Sequence, residues 1–266
     1  MPKMTGAQYL AESLKGYGVT HIFFVPTILS TMLAQIDQRG IDIARILTHG
    51  EKAAAYMADG YARASGRPGI CMSQIVGGVN LAAGLRDAWL ACTPLIAFSG
   101  GSEPGTRYRN AYQEVEDISA FDPVTKFNAY VDSVERFPDL LRQAFRAATS
   151  GTPGPVHLRF KGNLGQIEQR EADLELIVEE QFSSVPPYRP EPESEPIARA
   201  VKVLEAAKKP VIISGGGVRT SGAGAEIVAL AEKLQIPIAN SMNGKDTVPG
   251  NHPLALGAAG SYPRPC

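Results

Sequence analysis

The stretch THGEKAAAYMADGYARASG, residues 48–66, decides how the rest of the chain reads. It follows the apolar run ARILT (44–48) and leads into GICMSQI (69–75). Alanines at 53, 54, 55, 58, 62 and 64 make the intervening run a strong helix former. Two β-rich runs separated by a helix are a β-α-β unit, and such units build parallel sheets. Glu51 then stands at a strand's carboxyl end and in a helix's first turn. Ligands of open α/β sheets collect outside those strand ends. A carboxylate there also faces the positive end of the helix, worth ~0.3–1 kcal/mol when exposed. From position alone, Glu51 is either a solvated helix-start charge or a group that meets a ligand. The small side chains suit close approach by a neighbouring backbone or a partner subunit. Gly60, which costs about 1 kcal/mol relative to alanine inside a helix, is expected to mark such an approach.

Working outward, the same alternation recurs. HIFFV (21–25), PLIAFSG (94–100) and PVHLRF (155–160) join the two runs above as strands, and helical patterns lie near 5–16, 29–39, 51–65, 79–91 and 136–149. The expected fold class is α/β, a parallel sheet with helices on both faces, over residues 1–182. SSVPPYRPEPESEP (183–196) is rich in proline and glutamate and reads as an extended linker. Residues 197–266 begin a second α/β unit, with helix IARAVKVLEAAKK, strand and glycine turn PVIISGGG, helix AGAEIVALAEKLQ and strand IPIANS. Two strands are short of an open α/β domain, so this second unit is expected to be incomplete.

Composition narrows the function classes. The chain of 266 residues is 44% hydrophobic and 20% charged, with a formal net charge of −1. That balance suits a globular protein with a sizeable core. It offers no basic block for nucleic acid or an anionic membrane. No apolar run reaches the ~18 residues needed to span a bilayer, and the amphipathic start MPKMTGAQYLAESLKGYG does not resemble a signal peptide. Cys71, Cys92 and Cys266 form no C-x-x-C pair, so a disulfide framework or zinc site is not expected, and a cytoplasmic location is. The four histidines have no metal-ligand spacing.

HGEKAAAYMADGYARASGRPGICMS resembles the amino-terminal pyrimidine-binding domain of thiamine-diphosphate enzymes, specifically the acetolactate synthase group. In that group a carboxylate precedes small residues and then A-D-G-Y-A-R, and Glu51 falls at the activating glutamate. GVNLAAGLRDAWLACTPLIAFSGG is similar to the glycine turn, helix and strand that cover the cofactor. NAYQEVEDISAFDPVTKFNAYV resembles the F-Q-E segment and the strand after it, and SGTPGPVHLRF the strand closing the domain. KPVIISGGGVRTSGA and IPIANSMNGKDTVPGNHPLALGAAGSY resemble the opening of the group's central domain.

The resemblance implies thiamine diphosphate as cofactor and a 2-oxo acid as substrate. It implies Glu51 and Gln113 as catalytic residues, and Glu51, Gly77 and Asn80 as cofactor-binding ones. A carboxyl group at the pyrimidine ring nitrogen lets the cofactor's own amine act as a base, and small apolar neighbours favour the protonated acid. Gln113 would reach the reacting carbon, where an amide can donate to a developing oxyanion. Asn80 reads equally as a helix N-cap, Lys126 as a basic site residue or a surface lysine, and His49 as catalytic or as a partner of the following helix. Gly215-Gly216-Gly217 with Arg219 resembles a turn that holds FAD in relatives, although a plain strand-to-helix turn reads better. Two segments depart from the group: Val25-Pro26-Thr27-Ile28 replaces V-P-G-G, and Ile75-Val76-Gly77-Gly78-Val79-Asn80 replaces G-P-G-A-T-N. The G-D-G and Asn-Asn pattern that carries Mg²⁺ is not in this sequence. The expectation is therefore one half of an active site, completed by a homodimer or by a separate chain with the diphosphate-binding domain. The alternative is a truncated, catalytically inactive fragment or a non-catalytic subunit.

Overall fold

A computed structural model describes residues 3–260, so Cys266 lies outside the described residues. The chain divides into two compact units, Met1–Pro187 and Tyr188–Cys266.

In the first unit, strands β1 (Lys3–Thr5), β2 (His21–Phe24), β3 (Ala44–Leu47), β4 (Gly69–Ser73), β5 (Leu95–Gly101), β6 (Phe127–Val131), β7 (Pro155–Lys161) and β8 (Glu171–Asp173) alternate with helices α1 (Gly6–Gly16), α2 (Ser30–Gln38), α3 (Glu51–Ser65), α4 (Gly78–Leu90) and α5 (Phe137–Thr149). Six strands form one parallel sheet in the order β3-β2-β4-β5-β7-β6. β4 and β5 are central and buried at every residue, as their unbroken apolar runs require. Alternation along the strands feeds two cores. Ile70, Met72, Ile96, Phe98, Val156, Leu158 and Phe160 pack with α1, α2 and α5. Cys71, Leu95 and Ala97 pack with α3, α4 and the turn Ile118–Val124.

The alanine-rich helix owes its placement to its small face. Ala54, Ala55, Ala58 and Ala62 are buried, and α3 stops at Gly66, whose φ of 70° is left-handed. Within the chain the close approaches lie at other glycines. No atom comes within 4 Å of a Cβ built at Gly60. At Gly84 of α4 a Cβ would sit 2.7 Å from Ala55 Cβ, and at Gly69 of β4 one would sit 2.3 Å from the Ala58 carbonyl oxygen. These two glycines let α3 lie flat against its neighbours.

The apolar-run reading missed the short antiparallel pair β1–β8 and also β6, an edge strand of mixed exposure that only the resemblance marked. In the second unit, helices α6 (Ser194–Ala206), α7 (Gly216–Ser221) and α8 (Gly224–Leu234) accompany a parallel three-stranded sheet. Its strands are β9 (Ile212–Ser214), β10 (Ile238–Asn240) and β11 (Ala255–Ala258), one more than the sequence suggested. Ala231, Ile238 and Val248 form its small core. Among the described residues no helix is long and apolar enough to cross a membrane.

Candidate functional site

The strand order creates a crevice. The connection leaving β2 runs to β3 on one side, and the connection leaving β4 runs to β5 on the other. At such a switch point the outgoing loops part and leave room at the strands' carboxyl ends. The two loops touch at their base, where Gln74 Nε2 donates to the Pro26 carbonyl at 2.6 Å. α3 begins at Glu51, close behind β3, and brings that side chain to the turn Ile75–Gly77 that follows β4.

Glu51 is half-buried there, not projecting into bulk solvent. A Cβ at Gly77 would lie 2.5 Å from Glu51 Oε1 and 2.6 Å from its Cδ and Cγ. Gly77 has φ −84° and ψ −1°, which any residue can adopt. Its lack of a side chain therefore serves space, not backbone freedom. Asn80 Nδ2 donates to Glu51 Oε2 at 3.3 Å. α4 starts at Gly78, which makes Asn80 its third residue. The N-cap reading of Asn80 is thereby corrected, since its side chain serves Glu51 and makes no cap. His49, two residues before Glu51 and outside α3, is exposed.

Gln113 belongs to a different segment, the loop after β5, and makes no hydrogen bond to Glu51, Gly77 or Asn80. That loop is pinned by three ion pairs: Lys161–Glu103 at 2.9 Å, Arg107–Glu116 at 3.1 Å and Arg159–Asp117 at 2.9 Å. Arg159 is only 2% exposed and also donates from Nη2 to the Val115 carbonyl at 2.6 Å. Burial raises the Asp117 pKa, and the Arg159 charge offsets part of that rise. Gln113 itself has a φ of 60°, donates from Nε2 to the Tyr112 hydroxyl at 3.2 Å, and keeps Oε1 buried without a partner. Such an orphan acceptor is uncommon and marks a place for a ligand group or water. Tyr112 and Glu114, on either side of it, line a cavity of about 450 Å³ together with Ile75, Ser102, Asn163 and Gln166. This cavity opens at the carboxyl ends of β4, β5 and β7. A larger one, about 530 Å³, lies toward the β6–α5 connection, lined by charged groups such as Asp132, Glu135 and Arg170, and includes none of the predicted site residues.

The other sequence candidates have structural work. Lys126 donates its ammonium to the carbonyls of Ala147 and Ser150 at the end of α5, a favourable place for a cation. His157 is fully buried and stacked on Phe121, between Ser99 Oγ and Asn128 Oδ1, both at 2.8 Å. Burial and the nearby Arg159 charge push its pKa well down, so it stays neutral. In the turn Gly215-Gly216-Gly217 only Gly216 is closely packed, its built Cβ lying 3.3 Å from Asn243 Cβ, while no atom comes within 4 Å of one at Gly217. Burial raises the Cys71 thiol out of the reactive range. Among the described residues no three His, Cys, Asp or Glu side chains are grouped to hold a metal.

Sequence reasoning missed Glu168. It is 1% exposed and accepts from the backbone N–H groups of Thr31 and Met32, both at 2.9 Å, at the start of α2. Burial lifts its pKa to about 7 against the pull of those hydrogen bonds. Leu29, the residue before α2, has no side-chain cap to offer, so a carboxylate from 136 residues downstream of Met32 takes that role. No local pattern announces such a contact.

Residues 4–121 match the thiamine pyrophosphate enzyme N-terminal TPP binding domain, and residues 197–265 match the thiamine pyrophosphate enzyme central domain. A Methanocaldococcus jannaschii chain assigned as an acetolactate synthase large subunit is 37% identical over 97% of this chain and 44% of its own length. The acetolactate synthase large subunit of Lactococcus lactis is 31% identical, over 97% of this chain and 44% of that relative. A solved structure from Mycobacterium smegmatis, assigned as a thiamin diphosphate-dependent enzyme, superposes with a TM-score of 0.81 at 26% identity, covering 97% of this chain and 49% of that one. The chain spans somewhat less than half the length of the curated relatives it matches. With matches to both its N-terminal and its central domain, the chain belongs to the thiamine pyrophosphate enzyme family.

Proposed function

We propose that this chain supplies the pyrimidine-binding half of a thiamine-diphosphate site, in an enzyme that decarboxylates a 2-oxo acid and passes on the remaining fragment, as acetolactate synthases do. The observation that carries the reading is the seat of Glu51. A flexible carboxylate at a switch-point crevice is held against Gly77 by one amide donor. Two features fit the cofactor. Gly77 keeps the space over Glu51 Oε1 clear of a Cβ, and Gln113 Oε1 is a buried acceptor without a partner. When bound, thiamine diphosphate supplies a nucleophilic thiazolium carbon and an aminopyrimidine that serves as its base.

The chain's own residues do the following. Glu51 holds a proton on its carboxyl group for a ring nitrogen. Asn80 and Gly77 hold that carboxyl in place. The buried face of α3 and α4 keeps water away from behind it. Gln113, on its pinned loop, offers its amide to the reacting group. The diphosphate and its Mg²⁺ would be held by a diphosphate-binding domain, brought by a homodimer or by a separate chain. FAD is no part of this reading, which takes the glycine turn as a plain strand-to-helix turn. The assembly is placed in the cytoplasm.

The departures at the crevice bear on substrate choice. Thr27 and Ile28 stand where relatives keep two glycines, and Ile28 is buried, so the β2 loop closes on the core. The donor and acceptor therefore need not be those of acetolactate synthases. Residues 1–266 alone are expected to release no carbon dioxide from pyruvate with thiamine diphosphate and Mg²⁺, and to gain that activity with a diphosphate-binding partner. Turnover by the chain alone refutes the half-site reading. A partner that binds tightly without restoring any activity supports a non-catalytic subunit instead.

A further inference from the structure

We infer that Asn80 is a positioning residue that decides which oxygen of Glu51 carries the proton, and that it acts on the cofactor only through Glu51. This rests on the reading of Glu51 as the acid that faces the cofactor.

The argument begins with the hydrogen-bond inventory. Among the described residues Asn80 Nδ2 is the one side chain that hydrogen-bonds the Glu51 carboxyl, at Oε2. An amide nitrogen only donates, so the oxygen it meets must present a lone pair. The opposite amide orientation would set a carbonyl oxygen against a carboxylate, and could pair only with a carboxyl protonated on Oε2. In the orientation found, with Nδ2 toward it, Oε2 is an acceptor in either protonation state of Glu51. Any proton on the group sits on Oε1, the oxygen that lies over Gly77 where no side chain intrudes. The two contacts divide the labour: Gly77 leaves Oε1 free, and Asn80 occupies Oε2. Asn80 is well placed for this because it is the third residue of a rigid helix, packed against α3 through Gly84.

The test begins on residues 1–266 without ligand, by NMR. In the wild-type chain one Asn80 Nδ2 proton is shifted downfield of its partner, and E51A removes that difference. Contacts between the Glu51 γ-protons and the Gly77 α-protons are strong. They are lost in N80D, where two carboxylates face each other, and weakened by half or more in N80A. If Glu51 keeps the same contacts and the same rotamer in both variants, Gly77 alone seats it and the inference is overturned.

The second readout uses the enzyme assembled with its diphosphate-binding partner. N80A should leave the Kd for thiamine diphosphate within about threefold while slowing hydrogen–deuterium exchange at the thiazolium carbon about tenfold, the scale of one lost hydrogen bond. A tenfold loss of affinity with unchanged exchange would make Asn80 a direct cofactor contact and sink the proposal. The two readings fail separately: if E51Q leaves exchange unchanged while the Asn80 resonances still respond to Glu51, the cofactor role of Glu51 is lost and the coupling of the two side chains survives.

Discussion

Replacing Gly77 with alanine separates the stability of the fold from the integrity of the site. The new Cβ would lie 2.5–2.6 Å from Oε1, Cδ and Cγ of Glu51, well inside contact distance. The backbone at Gly77 suits alanine, so the main chain has no reason to move. What yields is Glu51, a flexible side chain with solvent on one side. Its departure breaks the bond from Asn80, a loss of ~0.5–1.5 kcal/mol. Alanine at a compatible position returns ~0.4–1 kcal/mol by restricting the unfolded chain. The net change is within about 1 kcal/mol, a shift of ~2–4 °C in Tm for a domain of this size. Thermal melting followed by circular dichroism measures that shift, and a crystal structure of the variant locates residue 51. The expected result is a near-normal melt with the Glu51 carboxyl swung off the turn. A melt lowered by more than about 10 °C, or a carboxyl still in place over a displaced turn, would refute the reasoning.

Two further outcomes test the packing and the buried charge. G84A, with its Cβ 2.7 Å from Ala55 Cβ and 2.9 Å from the Lys52 carbonyl oxygen, should destabilise by ~1–3 kcal/mol in urea unfolding, whereas G60A, in open space, should stabilise by ~0.5–1 kcal/mol. Glu168 predicts a pH dependence. Its folded pKa of about 7 lies above its ordinary 4.5, so between those values the folded protein holds a proton that the unfolded chain has lost. Its contribution to stability is therefore full below about pH 4.5 and is lost as pH rises to about 7. Over that window E168Q should gain roughly 3 kcal/mol relative to wild type, read from denaturation at matched pH values. Buried His157 titrates in the opposite sense, and its contribution is common to both proteins.

The first unit was legible because its signals are local. α3 and α4 appear in the sequence to within a residue, since alanine runs and buried strands of four to seven apolar residues carry their own periodicity. β6 was marked only by resemblance, because Phe127–Val131 is half-exposed on the sheet edge and lacks an unbroken apolar run. The candidate site came from the sequence only through resemblance: position alone left Glu51 between a solvated helix-start charge and a group that meets a ligand. The reason for Gly77 lies in a side chain 26 residues away, and that for Gly84 in Ala55 and Lys52, so neither glycine could be explained before the fold was known. Gly60 meets nothing within its own chain, and an exposed helical glycine and a packed one look identical in sequence. Glu168, Arg159 and His157 bury polar groups whose partners come from distant strands and loops, and no periodicity encodes such pairings.

The central claim is that the Glu51 carboxyl hands a proton to the cofactor's pyrimidine ring. The measurement that bears on it most directly is hydrogen–deuterium exchange at the thiazolium carbon of bound thiamine diphosphate, wild type against E51Q, in the enzyme assembled with its diphosphate-binding partner. The account predicts exchange slower by orders of magnitude in E51Q with the fold intact. An exchange rate equal to that of wild type would contradict it.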